Sequence, residues 1–182
     1  MNMLNVRECN RCELCKNQSP LLDEYKKSDV MWVGLSAKKV NDVLNDYPLQ
    51  NDTNSGKLIE RIEKANPQFS YYKTNLVKCL PLDREQKLRY PTQKEMEACL
   101  CNLVCEINEV KPKVVFLLGG IVSKFVLSKV KDKTITTDTK FVSIEHPSYI
   151  SVYKRKFEQE YIDKISSYIN ENISCQNVMI KQ

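Results

Sequence analysis

The segment KVVFLLGG at residues 113–120 restricts the fold more than any other stretch of the chain. Five successive apolar residues halted by two glycines are too few for an amphipathic helix, and they lack the alternation of a half-exposed strand. They describe a strand covered on both faces, as in a parallel sheet with helices above and below. Three other stretches share the character: DVMWVG at 29–34, YYKTNLVKC at 71–79 and KFVSIEHPS at 140–148.

Helical patterns fill the gaps. Thr92 and Glu95 stand at capping-box spacing, and Met96, Cys99, Leu100, Leu103, Val104, Ile107 and Val110 recur every three or four residues, which predicts a helix over 92–110 that stops at Pro112. Further helices are expected from Asp52 or Thr53 to Lys64, from Ile121 to about Val130, and from Lys154 to about Ile173 with Phe157, Tyr161, Ile165 and Tyr168 inward. The alternation βαβαβαβα predicts an α/β fold, a three-layer α/β/α sandwich around a four-stranded, mainly parallel sheet.

With 182 residues the chain is expected to form a single domain spanning 1–182, with a metal-binding N-terminal segment at 1–28 and a loose tail at 174–182. Apolar residues at 42% and charged residues at 28% exclude a disordered or fibrous chain. No apolar run approaches the ~18 residues of a membrane span, and the opening MNMLNVRECNRC lacks the apolar block of a secretory signal. The expectation is a cytoplasmic, monomeric protein with no membrane partner, and a net charge of +5 suits an anionic one.

Eight cysteines in a chain of this size favour metal or cluster ligation over a disulfide framework. Cys9 and Cys12 form a CxxC that can chelate one metal. Cys79, just before Pro81, is the third candidate. Cys99 is the fourth, because it falls at the edge of its helix's apolar face while Cys101 and Cys105 fall on the opposite side. Zinc and an iron-sulfur cluster both suit four thiolates. Cys15, Cys101, Cys105 and Cys175 are read as structural. Gly34, Gly119 and Gly120 end their strands where ligands bind in open α/β sheets, and Asn75 and the single histidine, His146, lie at or near strand ends as well.

In order along the chain, CNRCELC, a strand ending in VG, TNLVKCLP at 74–81, a helix with an inward cysteine, KPKVVFLLGG at 111–120 and HPSY at 146–149 resemble the iron-sulfur uracil-DNA glycosylases. The resemblance implies a [4Fe-4S] cluster on Cys9, Cys12, Cys79 and Cys99, with DNA as partner. Family-4 members carry GE at the first strand end, with the Glu positioning the attacking water. This chain reads Gly34, Leu35, Ser36, Ala37 there. It is similar instead to family-5 members, whose motif begins GL and whose water-orienting Asp closes a later PFTGD segment, matched here by Pro48, Leu49, Gln50, Asn51 and Asp52. Leu49 replaces the aromatic that stacks on the base.

A base inside a duplex must be turned out before its glycosidic bond can be cut, so such an enzyme needs a pocket with groups that read the base edge. Gly34, Leu35, Ser36 and Leu49 are expected to line it, and the Asn75 amide can pair with an imide or amide edge. His146 is expected to stabilise negative charge on the departing base. Asp52 is expected either to orient water or to cap the following helix. Ser148, Tyr149, Lys154 and Arg155 are expected to hold DNA, with Tyr149 or Ile150 wedging into the stack and Lys87 and Arg89 as a second phosphate patch. Two other readings stand beside this one: a catalytically weak or inactive base- or DNA-binding protein on the same scaffold, and a zinc or redox module unrelated to DNA.

Overall fold

The computed structural model describes residues 6–174, so Cys175 and the rest of the loose tail expected at 174–182 lie outside the described residues, while Ser174 ends the last helix. Four strands, β1 (Val30–Ser36), β2 (Tyr71–Val77), β3 (Val114–Leu118) and β4 (Lys140–Ile144), form one sheet in the order β2-β1-β3-β4, and every pairing is parallel. The helices are α1 (Asn54–Ala65), α2 (Gln93–Val110), α3 (Gly120–Lys131), α4 (Pro147–Tyr153) and α5 (Glu158–Ser174), with short 3-10 turns at Glu13–Lys16 and Arg155–Phe157.

The continuous apolar strands divide by parity between two cores. Met31 and Val33 of β1, with Val115 and Leu117 of β3, face Leu103 and Ile107 of α2 and Val122, Phe125 and Val126 of α3. Val30 and Trp32, with Val114 and Phe116, face Leu58, Ile59 and Ile62 of α1 and Ile162, Ile165 and Ile169 of α5. Three layers result. Trp32 stacks on Phe116 with ring centroids 4.8 Å apart and donates its indole N–H to Glu63 at 3.0 Å.

Several elements depart from the sequence expectation. The fourth strand ends at Ile144, and Pro147 opens α4 as its first residue, where a missing N–H costs nothing. The expected helix from Lys154 instead starts at Glu158, which leaves Phe157 in the preceding turn and 44% exposed. β2 stops at Val77, two residues before Cys79. The cap of α1 is Thr53, whose hydroxyl accepts from the Gly56 N–H at 3.0 Å, so Asp52 does not cap it.

α2 has the full capping box of Thr92 and Glu95 and ends on Lys111 in the left-handed region, φ 54°. Val104, expected inward, is only partly buried, whereas Cys105 is buried against Val6 and Leu22. The N-terminal segment causes this by covering the far face of α2. It is tied on by Leu14 in the α2 core, by the Asn17 amide donating to the Leu80 carbonyl at 2.9 Å and by the Leu21 N–H donating to the Lys78 carbonyl at 2.8 Å. No helix among the described residues is long and apolar enough to cross a membrane.

Candidate active site

A cavity of about 770 Å³ opens at the carboxyl ends of the strands. Gly34, Leu35, Ser36, Leu49, Asn75, Gly119, Gly120, His146 and Ser148 all line it. β2 and β4 are the two edge strands, yet the side chains they deliver stand close together, because each leans over a glycine of its central neighbour. Asn75 pairs with Gly34 across β1 and β2, and a Cβ added to Gly34 would stand 2.3 Å from Asn75 Oδ1. At the other end, a Cβ added to Gly119 would meet His146 Cβ at 3.3 Å, and Gly119 holds φ +90°, a conformation an L side chain resists. Asn75 thus rests on β1 and His146 on the end of β3, and these two strands are separated by roughly 4.8 Å of backbone spacing. Among the described residues the Asn75 carboxamide has no hydrogen-bond partner, and it lies in the cavity wall, 4% exposed.

The tautomer of His146 follows from its neighbours. The Ser148 N–H, which can only donate, lies 3.3 Å from Nδ1, and the Ser148 hydroxyl lies 2.8 Å from the same atom. Nδ1 is therefore an acceptor, and the neutral ring carries its proton on Nε2. Burial pushes the imidazole below its ordinary pKa of 6.5, which keeps it neutral at physiological pH. Ser148 serves first to orient this ring.

Leu49 takes φ 55°, an uncommon conformation for a bulky residue that costs about 1–2 kcal/mol. Its loop is clamped on α1, where any Cβ at Gly56 would overlap the Gln50 carbonyl. The twist turns Leu49 toward Gly34, with its Cδ2 at 3.4 Å from the added Cβ position. Asp52 stays outside the cavity lining, exposed and ion-paired with Lys38, which does line it. Among the described residues no carboxylate lines the cavity.

Tyr149, next to Ser148 but outside the cavity lining, is 45% exposed, packs against Tyr153 at 5.4 Å between ring centroids and has Lys154 Nζ 5.3 Å above its ring. Ile150 is buried in the core and cannot act as a wedge. Lys154 pairs with Glu145 at 2.6 Å and lines a separate groove between β4 and α5, while Arg155 is exposed nearby. Arg89 is held by Glu95 at 2.6 and 2.8 Å, and in return it draws that carboxyl down to about 2. Arg89 is therefore a structural tie, while its neighbours Leu88 and Tyr90 stand exposed on the rim.

The thiols gather below the cavity. The buried Asn102 amide donates to Cys9 Sγ at 3.3 Å and toward Cys99 Sγ at 3.7 Å, and the Lys78 N–H donates to Cys99 Sγ at 3.4 Å. Burial, then the neighbouring thiols of Cys99, Cys12, Cys15 and Cys9, push the Cys79 thiol well above its ordinary range. Crowded sulfurs, buried at Cys79 and Cys99 and half-buried at Cys9 and Cys12, with Cys9 and Cys99 accepting hydrogen bonds, fit a thiolate-ligated group, whose positive metal would displace the protons. Among the described residues no three His, Cys, Asp or Glu side chains close on a point where a single metal ion could be held. The Cys101 sulfur accepts from Arg11 and neighbours Cys105.

Residues 18–170 match the model of the uracil DNA glycosylase superfamily. The chain belongs to that superfamily. Cys9, Cys12 and Cys15 precede the matched region. A type-4 uracil-DNA glycosylase of Archaeoglobus fulgidus is 25% identical over 175 residues, covering 86% of this chain and 84% of the relative. One of Sulfurisphaera tokodaii is 26% identical over 156 residues, covering 83% of this chain and 66% of the relative. The crystal structure of wild-type Pedobacter heparinus SMUG2 shares the fold, with a TM-score of 0.58 at 18% identity over 84% of this chain and 77% of that one.

Within this superfamily member the sequence reading missed Lys38, Thr53, Ser55, Leu88 and Tyr90 as lining residues. It also missed the buried pair of Lys78 and Glu106 behind Asn75. Strand parity offered a signal for the pair: Tyr72, Thr74 and, past the strand end and Leu76, Lys78 fall at alternate positions, and buried polar tips at one parity call for a common partner.

Proposed function

We propose that this chain is a monofunctional DNA glycosylase, hydrolysing the N-glycosidic bond of uracil or another altered base turned out of DNA and leaving an abasic site. The observation that carries the reading is the pair of polar tips, Asn75 and His146, leaning over Gly34 and Gly119 into one cavity. An unpartnered carboxamide offers a donor and an acceptor to the polar edge of a base. A neutral imidazole with its proton on Nε2 donates to the base oxygen where charge develops as the bond breaks. The bonding pair leaves with the base as an anion, water adds to the sugar carbon, and the proton that water sheds ends on the released base. Asp52, released from Lys38 when a DNA phosphate takes that ammonium, orients the water and offsets positive charge on the sugar. Gly34, Leu35, Ser36 and Leu49 shape the pocket. Tyr149 wedges beside the vacated position, and Ser148, Lys154 and Arg155 steady the strand around it.

Cys9, Cys12, Cys79 and Cys99 would hold a [4Fe-4S] cluster, with zinc the alternative occupant. Bound there, the group would supply a cross-link between the N-terminal segment, the end of β2 and α2, and no step of the hydrolysis. Iron and labile-sulfide analysis separates the two. The test of function is mass-spectrometric detection of free base released from duplexes carrying a panel of altered bases. No release from any of them, by protein with its metal intact, would overturn the reading.

One observation favours a second reading. With no carboxylate in the cavity wall, the chain suits a protein that binds an extruded base without hydrolysing it. Tight binding with no abasic product, unchanged in Asp52→Asn, supports that alternative, whereas a lower kcat in Asp52→Asn supports the enzyme.

A further inference from the structure

Behind Asn75 lies a charged pair that no water reaches. The side chains of Lys78 and Glu106 are both fully buried and joined as an ion pair. Every polar atom of the pair is used. Lys78 Nζ donates to Glu106 Oε2, to the Thr74 hydroxyl at 2.8 Å and to the backbone carbonyl of Asn75. Glu106 Oε1 also accepts from the Tyr72 hydroxyl at 3.1 Å, and its carboxylate takes the Thr74 hydroxyl at 2.9 to 3.0 Å. The main chain of Lys78 is engaged as well, its N–H on Cys99 Sγ at 3.4 Å and its carbonyl on the Leu21 N–H at 2.8 Å.

Stability alone does not account for such a pair, since uncharged replacements of similar shape are often as stable or more so. Its geometry accounts for it better. β2 ends at Val77, and just beyond that end Lys78 turns its ammonium back onto the carbonyl of the residue whose side chain stands in the cavity. We propose that the Lys78–Glu106 pair is a positioning device: the Lys78 ammonium, held in the core by Glu106, fixes the backbone of Asn75. Lys78 touches no substrate and acts through Asn75. The kinetic arm of the test rests on the glycosylase reading.

The test compares two variants at equal metal content. Lys78→Met/Glu106→Gln removes both charges and the tether, while the glutamine oxygen still accepts from Tyr72 and Thr74. Tyr72→Phe keeps both charges and the ammonium on Asn75 and removes one hydrogen bond from the same pocket. The double variant should keep its melting temperature within a few degrees and its KM within about threefold, yet lose at least about tenfold in kcat. Tyr72→Phe should stay within about threefold of wild type. Adding Asn75→Ala to the double variant should cost far less than Asn75→Ala costs the wild type, because both changes remove one function. Multiplying losses would overturn the proposal, as would a Tyr72→Phe variant as slow as the double. If the wild type releases no base, the glycosylase reading fails by itself. The device is then judged by amide exchange at residues 75–77, which must quicken in the double variant and not in Tyr72→Phe; equal exchange in both overturns it.

Discussion

Replacing Gly34 with alanine tests the geometry of the site with one methyl group. The backbone there needs no glycine conformation, and removing a glycine from a strand contributes about 0.4–1 kcal/mol through the unfolded chain. The new Cβ would stand 2.3 Å from Asn75 Oδ1, whereas ordinary contact begins near 3.4 Å, so the carboxamide must retreat by about 1 Å. Leu49 Cδ2, at 3.4 Å from the same point, blocks the other direction. A displacement of that size in a group that orients the reacting base costs on the order of 10²-fold in rate, or about 2.7 kcal/mol of transition-state stabilisation. Gly34→Ala should therefore melt within a few degrees of wild type while single-turnover base release falls about a hundredfold, toward the rate of Asn75→Ala. Release within about threefold of wild type, in a folded protein, would refute the claim that Asn75 reads the base from above Gly34.

His146→Ala should lower kcat by roughly 10²–10³, the usual cost of losing one preorganised donor to a developing oxyanion, read in the same base-release assay with the melting temperature as control. Because burial holds the folded His146 pKa below that of the unfolded chain, its contribution to stability is complete above about 6.5 and is lost as pH falls through the folded value. Melting curves between pH 7.5 and 5 should thus fall more steeply for wild type than for His146→Asn, and parallel curves would contradict the assignment. Alanine at Cys9, Cys12, Cys79 or Cys99 should each abolish bound iron and its visible absorption, whereas Cys101→Ala should retain both; loss of iron in Cys101→Ala would redraw the ligand set.

The layers of the fold and the polar tips of its site are legible in the sequence because both depend on local pattern. Four apolar runs set the strands, but only β3 stops at its glycines; β1 runs on past Gly34 to Ser36, and β4 ends before Pro147. What escapes is whatever depends on two distant segments meeting. Pro147 reads equally well as the stop of a strand and as the start of a helix, and only the chain's return to the sheet decides between them. Cys105 looks solvent-facing until the N-terminal segment covers it. Asp52 and Thr53 are adjacent candidates for one cap, and the clamp of the Gln50 carbonyl on Gly56 selects Thr53. The left-handed turn at Leu49 leaves no mark in residue type at all, since nothing about leucine favours it.

The arrangement of glycines and tips divides the recognition machinery into two like halves. The unit β1-α1-β2 brings Gly34 and Asn75; the unit β3-α3-β4 with its following turn brings Gly119 and His146. Each half owns one bare ledge and one arm reaching across it, and they are joined along the seam between β1 and β3, with α3 packed over it. Neither half can grip a planar heterocycle unaided, so competence at this site is a direct reporter of that seam having closed.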